Sequence, residues 1–123
     1  MDKDNFDIRK RTFDFAVSIV KLCQYLEKEK IVGKVLIQQL LRAGISIGAN
    51  LEEGQAGQST ADFISKNAIS LKEARETNYW LRLILATTNF DTKIESRILE
   101  IRNESEEIMK IIASIIISAK KLK

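Results

Sequence analysis

The chain has 123 residues, no proline, no histidine, one cysteine, and 20 basic against 17 acidic side chains. Without histidine it lacks the usual general base, the imidazole of Ser-His and Cys-His nucleophile pairs and the commonest metal ligand, and a lone cysteine excludes an internal disulfide or a Cys-rich zinc site. A formal charge of +3 is small for a dedicated nucleic-acid binder, and the apolar runs fall far short of the ~20 residues that cross a bilayer.

With no proline and five glycines the chain has few places to turn, which predicts a few long helices. The first is predicted from about Phe6 to Lys30, with Asp4 as N-cap and Asp7 three residues on. Phe13, Val17, Val20 and Cys23 form one stripe at helical spacing, and Ile8, Phe15, Ile19, Leu22 and Leu26 lie beside it. Cys23 on that stripe is expected to be a buried, inert thiol, and Gly33 is the expected stop.

The second helix is predicted from Lys34 to Gly54, and between Lys34 and Glu52 its only charged residue is Arg42. Leu36, Ile37, Leu40, Leu41, Ala43, Ile45, Ile47 and Leu51 fill more than half its circumference, leaving Gln39, Arg42, Ser46, Asn50 and Glu53 on one side. A helix in a four-helix monomer normally shows one face to water, so this lack of charge predicts that a second subunit covers it. Gly44 and Gly48, four residues apart, allow a close helix approach; no strand-to-helix glycine loop of the phosphate-binding kind surrounds them.

Ser59, with Asp62 at the third helical position, caps a third helix running to about Thr88 through Phe63, Ile64, Ala68, Leu71, Ala74, Leu81 and Leu85. Its other side stacks Glu73, Glu76 and Trp80. After a turn at Asn89–Thr92, a capping box of Thr92 and Glu95 opens the fourth helix. There Ile94, Ile98, Ile101, Ser105, Ile108, Ile112, Ile115, Ala119 and Leu122 alternate in steps of four and three, a heptad seam. The seam outweighs the local β-propensity of residues 111–117, and Ile111, Ile116 and Ile117 lie off it, a second sign of self-association. Short turns between long helices predict an all-α fold, an antiparallel up-down-up-down four-helix bundle, as one domain over residues 1–123. Met1-Asp2-Lys3-Asp4 lacks the basic and apolar regions of a signal peptide, which makes the cytoplasm the expected location.

Four-helix bundles often hold di-iron sites built from Glu and Glu-x-x-His, but this chain has no histidine to complete one. No catalytic residue, metal or cofactor is expected. Glu73 and Glu76, three apart on a charge-rich helix, read as arginine partners before they read as an acid–base pair.

Two stretches, Gln38–Gly54 (QQLLRAGISIGANLEEG) and Lys72–Leu81 (KEARETNYWL), together resemble the signature of a bacterial family of small four-helix-bundle proteins. That family is encoded in intervening sequences of 23S rRNA genes and by free-standing genes, and a relative is the accessory protein of diversity-generating retroelements. The resemblance covers essentially the whole chain. It implies an antiparallel bundle assembled into a homopentamer, with RNA association suggested by gene context, and with nucleic acid and a reverse transcriptase as partners of the retroelement relative. The family positions carried onto this chain are Arg42, Asn50, Glu53 and Gly54 in the second helix and Glu73, Glu76 and Trp80 in the third.

Those residues have two readings: a binding site, or a polar network that fixes helix register and subunit contacts, since buried groups of this kind must be paired. The basic residues near the chain ends, Arg9, Lys10, Arg11, Lys120, Lys121 and Lys123, also have two. In an up-down-up-down bundle they are expected to share one end of the molecule. That end is either simply solvated or, repeated around a five-fold ring, a positive rim able to hold phosphates. Two functions follow: a homo-oligomer that binds RNA or other nucleic acid through backbone phosphates, or an oligomeric adaptor for a protein partner. Neither involves a membrane.

Overall fold

A computed structural model describes residues 2–122, with side chains from Asp7 to Leu122. Four helices, α1 (Asp2–Glu29), α2 (Lys34–Gln55), α3 (Thr60–Thr87) and α4 (Thr92–Lys121), make an all-α four-helix bundle with no strand among the described residues. Each helix packs on the next, and α4 closes on α1. As numbers rise on one helix they fall on its neighbour: Thr12 meets Gly48 while Cys23 meets Ile37, Arg42 meets Glu73 while Glu53 meets Lys66, and Arg11 meets Glu104 while Ser18 meets Arg97.

The helix ends follow local chemistry, not always at the residue expected. Ser59 caps α3 as predicted, its hydroxyl accepting from the Asp62 N–H at 3.1 Å. On α4 the cap is Asp91, one residue before the expected Thr92, and its carboxylate accepts from the Ile94 N–H at 2.9 Å. α1 begins at Asp2, so Asp4 lies inside it rather than at its cap. Its far end is closed by Lys30, not Gly33. Lys30 takes a left-handed φ of 55°; its N–H donates to Glu27 O at 3.2 Å, and the Ile31 N–H reaches back to Leu26 O at 3.3 Å. This is a Schellman closure made without glycine. Gly33 is extended (φ −65°, ψ 149°) and stands instead before α2.

The core draws Ile8, Phe15, Ile19, Leu22, Cys23 and Leu26 from α1, Ile37, Leu40, Ala43, Ile47 and Leu51 from α2, and the α4 seam from Ile98 to Ala119. The expected α3 line is corrected: Ala68 is exposed, and Phe63, Ile64, Leu71 and Leu85 are half-buried. The buried line is Asn67, Ser70, Ala74, Thr77, Asn78, Leu81 and Ile84, rich in polar groups. These are tolerated because their donors find acceptors. The Ser70 hydroxyl donates to Ile47 O at 2.7 Å, Thr77 to Glu73 O at 2.8 Å, and Asn67 Nδ2 to Phe63 O at 2.8 Å. Asn78 Nδ2 donates to Ser105 Oγ at 3.0 Å, which gives the one polar member of the isoleucine seam its purpose. Ile116, expected to be spare apolar surface, is buried within the same chain, Ile111 is half-buried, and Ile117 alone of the three is exposed.

Two glycines of α2, Gly44 and Gly48, lie close against α1. A Cβ on Gly44 would stand 2.8 Å from both Ile19 Cγ1 and Cγ2, and one on Gly48 would stand 3.2 Å from Thr12 Oγ1. Beside this contact Cys23 is buried, and loss of solvent, with the nearby Glu27 charge, pushes its thiol up to about 11, away from the reactive thiolate.

Gly44→Ala is expected to destabilise the bundle by about 1 kcal/mol net. Overpacking of about 1–3 kcal/mol outweighs the gain of up to ~1 kcal/mol in helix propensity. Gly48→Ala, facing a single hydroxyl, should be closer to neutral; urea unfolding of the two variants gives the comparison. Lys30→Gly should raise stability by about 1 kcal/mol in the same assay, because glycine adopts the left-handed conformation without strain.

Candidate functional site

The polar side of α2 becomes a ladder along its edge with α3. Arg42 is its centre: Nη1 reaches Glu73 Oε1 at 3.2 Å, Nη2 contacts Glu76, and Nε and Nη2 bond Gln39 Oε1 at 3.2 and 3.1 Å. Trp80 Nε1 donates to the same Glu76 carboxylate at 3.2 Å, so one arginine, two carboxylates and an indole form a single cluster. The Ser46 hydroxyl donates to Arg42 O at 2.6 Å and Asn50 Nδ2 to Ser46 O at 2.8 Å. Asn50 is therefore occupied by its own helix and does not join the arginine cluster. Glu53 pairs with Lys66 at 3.7 Å, a partner missed by the sequence reading. Gly54 serves packing: a Cβ there would lie 3.1 Å from Lys66 Cβ, so its absence lets the end of α2 sit on the start of α3. The seven family positions thus divide into a charge cluster, an intrahelical bond, an exposed ion pair and a close backbone approach.

The basic residues are not brought together. Arg11 is engaged by Glu104 in a two-pronged bond, Nε to Oε2 at 2.6 Å and Nη2 to Oε1 at 2.8 Å, which raises its already high pKa. Lys10 Nζ holds Asp14 Oδ2 at 2.9 Å, and Arg9 lies beside Phe13 and Glu52. Lys120 and Lys121 are exposed in the last turn of α4. At 1.5 Å per residue, Lys120 stands about 24 Å along the axis from the Glu104 level that Arg11 occupies. The expected shared patch is corrected by this offset, because α4 runs on well past the level of Arg9–Arg11. Lys123 lies outside the described residues.

Two surface features carry what remains. Along the outer side of α1 and α2, Phe13 is 60% exposed and Ile45 42%. Ala16, Val17 and Val20 line a shallow groove beside Phe13. On the opposite flank, where α3 meets α4, Arg82 Nε donates to Asn78 Oδ1 at 2.9 Å, and its guanidinium stands 5.6 Å from the Tyr79 ring centroid. Tyr79 meets Trp80 edge-on, with centroids 5.3 Å apart and planes at 74°. The sequence signal for this flank, bases at 72, 75 and 82 with acids only at 73 and 76, was present but unused. Among the described residues no group of three His, Cys, Asp or Glu side chains is placed to hold a metal ion, and no helix is long and apolar enough to cross a membrane.

A bundle of four helices on one core, with a charge ladder on one edge, belongs to the class of small all-α bundle proteins. Within that class the chain belongs to the 23S rRNA-intervening sequence protein family, which it matches over residues 4–114. It is similar to a protein of unknown function from the S23 ribosomal protein family of Bacteroides thetaiotaomicron, known from a crystal structure. The two share 42% identity over 92% of this chain and 97% of that one, with a TM-score of 0.83. No curated protein sequence matches the chain significantly.

If the Arg42 cluster fixes the register of α2 on α3, Arg42→Ala should lower stability by roughly 1 kcal/mol, as expected for a partly screened network. In a background of Glu73→Gln and Glu76→Gln the same change should lower it by much less. Additive losses in that double-mutant cycle would contradict a register role.

Proposed function

We propose that the chain is a non-enzymatic, cytoplasmic, antiparallel up-down-up-down bundle that assembles with copies of itself, as a homopentamer, and binds RNA through backbone phosphates. The observation that carries the self-association is the outer side of α1 and α2. There Phe13, Val17 and Ile45 are exposed next to a helix with one charge between Lys34 and Glu52. Isolated exposed apolar residues are ordinary, but an apolar groove on α1 lined by Phe13, Val17 and Val20, beside a charge-poor helix, marks an interaction surface. A second copy suits it because the charged residues beside it carry both signs: Arg9, Lys10 and Glu52 at one end and Lys21 on the groove.

The RNA reading draws on the family's tie to 23S rRNA genes and on charge. A subunit of +3 is a weak phosphate ligand by itself. A ring repeats every arginine and lysine around its circumference, so binding rises through many simultaneous contacts. The antiparallel course is supported by the opposed numbering of facing residues, and kinship with the retroelement accessory protein is part of the same reading.

Phe13→Asp combined with Ile45→Asp should lower the solution mass toward one subunit and, in step, weaken binding of an rRNA fragment measured by fluorescence anisotropy at low salt. For the parent protein, affinity should fall steeply as salt rises. A dissociated variant that binds RNA as well as the parent would contradict the ring argument. A parent that binds no RNA at low salt would overturn the nucleic-acid reading and leave an adaptor for a protein partner.

A further inference from the structure

We propose that the flank where α3 meets α4, formed by Arg75, Tyr79 and Arg82 of α3 and Arg102 of α4, takes a single-stranded RNA segment. An unpaired base stacks on Tyr79 and the arginines hold the adjoining phosphates. This rests on the RNA reading above and moves the contact from the chain ends to a helix flank.

The case begins with how α3 sorts its charge. Between positions 72 and 82 it carries Lys72, Glu73, Arg75, Glu76 and Arg82. Both acids turn toward α2, where Arg42 holds them. At about 100° per residue, Arg75, Tyr79 and Arg82 point to the other side. That side is left positive by the same arrangement that neutralises the first. Among the described residues, Arg75, Arg82 and Arg102 pair with no carboxylate. The acids on the same side of α4, Glu95 and Glu106, do not reach them either.

The aromatic ring is positioned rather than loose. Tyr79 is 48% exposed, with Trp80 against it edge-on and the Arg82 guanidinium over its ring. Arg82 is itself fixed by Asn78 Oδ1 at 2.9 Å, and Asn78 is fixed across the seam by Ser105 at 3.0 Å. The turn joining α3 to α4 puts Arg82, one turn after Asn78, and Arg102, one turn before Ser105, on the same side of that link. Arg102 donates from Nη2 to Asn103 Oδ1 at 3.1 Å, while its Nε is buried without an acceptor. The flank therefore sets guanidinium groups that pair with no carboxylate beside a positioned aromatic ring. Phosphates accept from such donors, and unpaired bases stack on such a ring, whereas the bases of a duplex are hidden within its own stack.

The test uses the full-length protein and a fluorescein-labelled 12-nucleotide single-stranded RNA, with a duplex of equal length as comparison, in anisotropy titrations over a salt series. Tyr79→Ala should weaken single-strand binding about ten-fold, and Tyr79→Phe should stay within about two-fold of the parent, as stacking requires. Replacing Arg75, Arg82 and Arg102 together by Gln should reduce the salt slope by about 2, at roughly 0.7 per phosphate released. Helical circular dichroism confirms that each variant is folded. If Tyr79→Ala and the triple variant bind like the parent while Lys120→Gln with Lys121→Gln loses binding, the flank is overturned and the RNA reading stands. A parent with no affinity for RNA overturns both.

Discussion

The arrangement depends on the contact between Ile19 and the bare backbone of Gly44. Any side chain at position 44 would enter the space filled by the Ile19 γ carbons, 2.8 Å away. Because nothing is there, α1 and α2 close up, and one turn further along Thr12 seats on Gly48. That closeness decides which residues each helix can bury. Phe15, Ile19, Leu22 and Leu26 go inward with Ile37, Leu40 and Ile47, while Phe13, Val17 and Ile45 are carried to the outside. The exposed apolar residues of α1 and α2 are those that closing the core leaves outside. Water is a poor neighbour for those side chains.

On the far side of α2 the constraint is electrostatic. Arg42 is the only cation in the middle of that helix, and it gathers both acids of α3. Long-range cross-ties of this sort contribute little when fully exposed, but here Trp80 and Gln39 join the same groups and the geometry is shared. Drawing Glu73 and Glu76 to one side leaves the opposite side of α3 to Lys72, Arg75 and Arg82. One arginine on α2 therefore shapes the field on the far side of the neighbouring helix α3.

Much of the fold could be read from periodicity. The isoleucine seam of α4 holds from Ile98 to Ala119, and the four helices lie where the apolar spacing placed them. The misses have specific causes. Asp91 and Thr92 are both good caps, and only backbone geometry chooses between them. Gly33 is the natural stop on steric grounds, yet the helix ends where its last carbonyls are closed, and Lys30 takes the left-handed φ of 55°. The buried polar line of α3 was hidden because its partners, Ile47 O and Ser105, lie on other helices. The expected meeting of Arg9–Arg11 with Lys120 and Lys121 fails in height, since composition says nothing about how far α4 overruns the level of Arg11. Of the family positions, the cluster of Arg42 with Glu73, Glu76 and Trp80 was foreseen as a network, whereas the packing role of Gly54 needed coordinates.

The account's central claim is that closing α1 on α2 through Gly44 leaves a face that a second copy must cover. Multi-angle light scattering of the unmodified protein at micromolar concentration tests this most directly. The account predicts a mass five times that of the 14.0 kDa subunit. A single species at the subunit mass would contradict it.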